Sequence, residues 1–123
     1  MDYDIATDCD HRIVCVAVNA PVTYDLACRF SVSALEEARA RGFYRFLVDL
    51  RGTRSQENAV NQYLFVQELP KFGLTKSFSV AVVIDEGDQS REFVTTLVQR
   101  RAMSLRLFHD PVEAQHWLAK QPG

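Results

Sequence analysis

The stretch "RFLVDL", residues 45–50, constrains this chain more than any other part of it. Its apolar residues run on almost without interruption. Successive strand positions point to opposite faces, so such a strand must be covered on both sides. In a soluble α/β protein that cover comes from helices laid on a sheet. The segments on either side of it have the composition to supply them.

Upstream, "DYDIAT" and "RIVCVAV" read as strands joined by the polar break "DCDHR"; Ile13, Val14, Val16 and Val18 are β-branched and suit a pleated, buried surface. Thr23 is placed to cap a helix in which Leu26, Ala27, Phe30, Ala34, Leu35 and Ala38 form one apolar face, and Gly42 is placed to end it. After "RFLVDL", the spacing of Val60, Tyr63, Leu64, Val66 and Leu69 predicts a second helix beginning near Ser55 to Glu57 and ending at Pro70 to Gly73. "FSVAVVID" is the strongest strand in the chain. A third helix is expected over "GDQSREFVTTLVQRRA", with Phe93, Val94, Leu97 and Val98 inward, and then the short strand "SLRLFH". Asp110, Pro111 and Glu113 have the spacing of a capping box around an N-terminal proline, and Ala114, Trp117 and Leu118 form the inward side of the helix they open.

The order is ββαβαβαβα. Right-handed helical crossovers return each strand to the same sense, so the later strands run parallel, while the first, lacking a crossover, can run antiparallel at an edge. The fold expected is a single α/β domain over residues 1–123, with one mixed five-stranded sheet and four helices. At 123 residues the chain is long enough for one core, and its 47% hydrophobic and 24% charged residues are ordinary for a globular protein.

Charge excludes one class of partner. With 14 basic against 16 acidic residues the net charge is −2, which leaves no electrostatic footprint for nucleic acid. No apolar run approaches the roughly 18 residues of a membrane span, and the acidic start "MDYDIATDCD" has neither a basic region nor an apolar signal core. A cytoplasmic location is therefore expected. Cys9, Cys15 and Cys28 lack paired spacing, and His11, His109 and His116 are scattered, so neither a metal site nor a cofactor is expected.

Ligands of parallel sheets gather at the carboxyl ends of strands, which here carry Asn19, Asp49 with Arg51, Asp85 with Glu86, and His109 with Asp110. Asp85, Asp88 and Asp110 read as turn and cap residues. A magnesium-holding receiver site would need paired acids after its first strand and a lysine after its last, and this chain has Asn19–Ala20 and His109 there. Arg91, Arg100, Arg101 and Arg106 form a basic group read as a solvated face, with a partner-binding patch as the alternative. The loop that remains is "DLRGTRSQEN". Gly52 permits a tight turn, Thr53 or Ser55 can cap the following helix, and Arg51 and Arg54 would strengthen an anion at its N-terminus. Asp49, Arg51, Thr53, Arg54 and Ser55 are thus the candidate binding or switch residues. No catalytic residue is assigned.

The strand and helix order, "RFLVDLRG" leading into the Tyr-bearing "NQYLFVQELPKFGL", "SVAVVID", and the ending "LRLFHDPVEAQHWL" together resemble the SpoIIAA-like branch of the STAS superfamily. The likeness spans nearly the whole chain. It implies a mixed sheet with helices around it, no catalysis, and a regulatory or ligand-binding role, and the leading reading is a module that works by binding another protein. In the anti-sigma-factor antagonists of that branch an Asp-Ser-Ser-Gly turn carries a phosphorylated serine. Here the turn reads Arg51-Gly52-Thr53-Arg54-Ser55, so the motif is absent and Thr53 and Ser55 are positional candidates only. The branch is also likened to Sec14-type domains, which makes a carrier or sensor of a small apolar ligand the alternative. An enzyme using the strand-end carboxylates is the third reading. Tyr63, Phe65, Phe72 and Phe78 exceed the inward need of one helix and strand, and Phe65 falls off the apolar stripe, from which a homodimer is expected.

Overall fold

The computed structural model describes residues 2–53, 78–85 and 104–121. Within them lie β1 (Tyr3–Asp8), β2 (Ile13–Val18), α1 (Tyr24–Arg41), β3 (Arg45–Asp49), β4 (Ser79–Val83), β5 (Ser104–Phe108) and α2 (Pro111–Ala119). All five strands join one sheet in the order β1-β2-β3-β4-β5, with β1 antiparallel to β2 and every other pair parallel. The expected mixed sheet is present, with two helices among the described residues. The second and third helices of the sequence reading, and with them Tyr63, Phe65 and Phe72, lie outside those residues.

The register explains why β3 is apolar along its length. Val14, Phe46, Val80 and Leu105 stand in one row across β2 to β5, and Val16, Val48, Val82 and Leu107 in the next. These rows belong to the core that α1 closes with Leu26, Ala27, Phe30, Ala34, Leu35 and Ala38. On the other face Ile13, Leu47, Ala81 and Val83 pack with Ala114 and Leu118 of α2. The domain is therefore three-layered. α1 lies over β1 and β2, and α2 over β3, β4 and β5.

Local chemistry fixes the helix ends. The Thr23 hydroxyl accepts from the Leu26 amide at 3.1 Å, and Gly42 (φ 71°) turns left-handed so that the Gly42 and Phe43 amides both bond to the Ala38 carbonyl. At α2, Asp110 accepts from the Val112 amide at 2.9 Å with Pro111 behind it. The expected capping box is replaced by this shorter bond: Glu113 is exposed and returns no hydrogen bond among the described residues. Phe78 is buried against Tyr44 and Phe46, with ring centroids 5.3 and 5.4 Å away, so it lends nothing to an exposed aromatic face. The Arg45 guanidinium donates to the carbonyls of His11 and Gln121 at 2.8 and 2.7 Å, tying the β1–β2 turn to the residue after α2.

The two-face burial has a measurable consequence. Leu118 is fully buried on the β3–β4 sheet face, whereas Val112 on the same helix is 55% exposed. Leu118→Ala is expected to cost about 2–5 kcal/mol through lost burial and a residual cavity. Val112→Ala should stay within about 0.5 kcal/mol. Urea unfolding of the two variants measures the difference.

Candidate functional site

Parallel pairing brings the carboxyl ends of β2 to β5 to one rim of the sheet, and the loops there are joined by backbone bonds. The Leu50 amide donates to the Val83 carbonyl at 2.8 Å, and the Ile84 amide to the Phe108 carbonyl at 2.8 Å. Asp49 and Asp85 consequently share the rim, as the sequence order predicts, together with Arg51, His109 and Asp110.

The loop after β3 is a tight turn with defined chemistry. The Thr53 amide bonds to the Leu50 carbonyl at 3.2 Å, and Gly52 between them has φ 78°, the value a type II turn requires at its third residue. A side chain at Gly52 would meet no neighbour, so the backbone angle alone selects glycine. Thr53 folds inward: it is buried, and its hydroxyl donates to the Leu50 carbonyl at 2.6 Å.

Three carboxylates hold this rim in place. Asp49 grips Arg51 with a two-pronged ion pair, Nε to Oδ1 at 3.0 Å and Nη2 to Oδ2 at 2.8 Å, and Oδ1 also accepts from the Arg51 amide at 3.0 Å. Asp85 reaches across from the end of β4 and accepts from the Gly52 amide at 2.8 Å. Asp110 caps α2. Hydrogen bonds from Arg51 hold the Asp49 carboxyl below the usual carboxylate range, against a partial burial that pushes it up. The same bonds raise Arg51, which also feels the charges of Asp85 and Asp110.

The structure thus brings Asp49, Arg51 and Thr53 together in one turn. Arg54 and Ser55 lie outside the described residues. Arg51 is exposed at the rim, but its guanidinium and amide already serve Asp49, and the Gly52 amide serves Asp85. An incoming anion would have to displace the protein's own carboxylates. Asp85 does more than the turn role expected of it, since it braces a loop 33 residues earlier in the chain. A glycine just after one strand and an aspartate just after its parallel neighbour was the available signal. His109 Nδ1 lies 3.3 Å from the Ile84 carbonyl, which ties the β5 end to the same rim. Cys15 and Cys28 are half-buried free thiols raised by burial, and no group of metal-ligating side chains occurs among the described residues.

The fold and rim define an α/β domain with a mixed five-stranded sheet whose strand-end loops are braced by carboxylate-to-backbone bonds. No family model, curated protein or solved structure matches the chain. None of the described helices is long and apolar enough to cross a membrane.

The Asp49–Arg51 pair gives a signed pH dependence. A carboxyl depressed in the folded state contributes its stabilisation fully above its unfolded value, about pH 4, and loses it as pH falls through the lower folded value. Because both side chains are substantially exposed (33% and 44%), the effect on stability is small. The titration is the sharper readout. Carbon-detected NMR should place the Asp49 midpoint below the ordinary aspartate value, and Arg51→Ala should move it upward.

Proposed function

We propose that the chain is a non-enzymatic, STAS-like regulatory module that acts by binding another protein at the carboxyl rim of its sheet. The observation that carries this reading is the employment of the rim carboxylates. Asp49 holds Arg51, Asp85 holds the Gly52 amide, and Asp110 holds the Val112 amide. A general acid or base needs a carboxylate presented to substrate, and these are turned onto the backbone and a neighbouring side chain. What they produce instead is a rigid turn that displays Arg51 at the surface. Fixed geometry with an exposed, oriented guanidinium is the form of a recognition surface. The mixed sheet, with β1 antiparallel and the other strands parallel, supports this reading. Thr53 acts in this reading as a brace of the turn, with its hydroxyl occupied by the Leu50 carbonyl.

The groove between β1 and α1 offers an apolar ligand little, since Glu36, Glu37, Arg41, Thr7 and Ser33 line it and only Ile5 and Ala6 are apolar. Protein purified from its own host and analysed by native mass spectrometry is expected to carry a second polypeptide at fixed stoichiometry. A co-purifying small apolar molecule in its place overturns the module in favour of a carrier. Arg51→Ala should leave the melting temperature within about 2–3 °C of wild type, because an exposed pair contributes little. It should weaken the partner complex roughly tenfold or more, the loss of one charge-assisted contact.

A further inference from the structure

The outer edge of β1 carries an unspent set of backbone hydrogen-bonding groups. β1 ends the sheet, and among the described residues its only strand neighbour is β2. The Asn19 amide donates to the Asp2 carbonyl at 2.7 Å, which marks Asp2 and Asn19 as a hydrogen-bonded pair of the antiparallel ladder. Bonded pairs alternate with non-bonded ones, so Asp4, Ala6 and Asp8 also bond to β2. Tyr3, Ile5 and Thr7 therefore aim their N–H and C=O groups away from the sheet, and none of these groups has a partner among the described residues. The strand is straight enough to keep regular register over its whole length. An edge of this kind is a template for another strand.

Beside it lies an open groove of about 400 Å³ bounded by Ile5 and Thr7 on one wall and Ser33, Glu36, Glu37 and Arg41 of α1 on the other. Its charge is lopsided. Arg41 is held by Glu37 at 2.6 Å, which leaves Glu36 exposed and without an ion-pair partner among the described residues. On the opposite face of the edge, β1 presents Asp4, which accepts a neutral bond from Asn19 Nδ2 at 3.1 Å and keeps its charge, and Asp8, which is paired with His11 Nδ1 at 2.8 Å. A strand added here would set alternate side chains beside Glu36 on one face and beside the two aspartates on the other.

From this we infer that β1 is a strand-addition site for a basic, extended segment of a partner protein. The inference rests on the reading of the chain as a protein-binding module and gives that module a second contact surface, away from the Arg51 rim. Charge also argues against a second copy of the chain as the occupant. Antiparallel pairing of β1 with itself centred on Ile5 sets Asp2 against Asp8, and a shift by one bonded pair sets Asp4 against Asp4 or Asp4 against Asp8. Like charges directly opposite one another destabilise a strand pair. Lysine or arginine at both even and odd positions of the added strand removes that penalty beside Asp4 and Asp8 on one face and meets Glu36 on the other.

The test uses the full chain and two synthetic peptides of about eight residues, within the usual strand length, one mixing valine with lysines at both even and odd positions and the other carrying glutamate in place of each lysine. Amide exchange followed by NMR should slow roughly tenfold or more at Ile5 and Thr7 with the lysine peptide and stay unchanged with the glutamate peptide. Thr7→Pro removes an outward N–H without touching a β1–β2 bond, so the variant should fold and lose the peptide. Glu36→Lys should weaken it while leaving the strand intact. Absence of protection at Ile5 and Thr7, equal protection by both peptides, or unchanged binding by folded Thr7→Pro would each overturn the inference. So would a homodimer that Thr7→Pro dissolves, because the edge would then belong to a second copy. A host partner that stays bound to Thr7→Pro removes the edge alone and leaves the module standing. Purification without any polypeptide partner removes the module reading instead.

Discussion

The burial of β3 and β4 on both faces governs the rest of the molecule. Phe46, Val48 and Val80 leave water on one side of the sheet, and Leu47, Ala81 and Val83 leave it on the other. Neither set can be covered without a helix, so α1 and α2 are driven to opposite faces and the sheet becomes the middle of three layers. Each fully buried aliphatic side chain contributes about 1.5–3 kcal/mol, which outweighs any single polar contact at the rim. The hydrogen bonds of the loops refine a geometry that apolar burial has already imposed.

Parallel pairing follows from the same burial, and it decides where polar chemistry can collect. The carboxyl ends of four neighbouring strands arrive at one rim, bringing Asp49, Asp85 and Asp110 close to backbone amides that need acceptors. A carboxylate that accepts from an amide fixes the loop and spends its own hydrogen-bonding capacity doing so. This is how the loops of the rim are tied to one another and to α2. Arg51 stays exposed because Asp49 steers it without burying it.

At the far side of the sheet the balance is different. β1 is covered by α1 on one face only, with Tyr3 bonded to Ser33 at 2.8 Å and its ring set edge-on to Phe30, while Asp4 and Ala6 face solvent. The outward backbone groups of Tyr3, Ile5 and Thr7 have no partner among the described residues. A strand placed there exchanges water for a ladder at little conformational cost, since β1 is already ordered by β2.

Periodicity located every described strand to within two residues at each end, because β-branched runs and a one-sided helical stripe have few other ways to hide their apolar surface. The largest difference is at β4, which stops at Val83 where the predicted strand continues to Ile84 and Asp85. The six apolar residues named for α1 are its six buried residues, and the Thr23 and Gly42 caps act as their chemistry dictates. The turn at Gly52 was legible for the same reason: a positive φ leaves glycine as the unstrained choice. What the one-dimensional pattern could not hold was the pairing across distance. That Asp85 would accept from Gly52, that Thr53 would turn its hydroxyl inward, and that Asp49 would occupy Arg51 all depend on which strand ends the sheet makes neighbours. Sheet order and register are set by the collective burial of both faces, a property of the assembled layers that no local stretch of residues encodes.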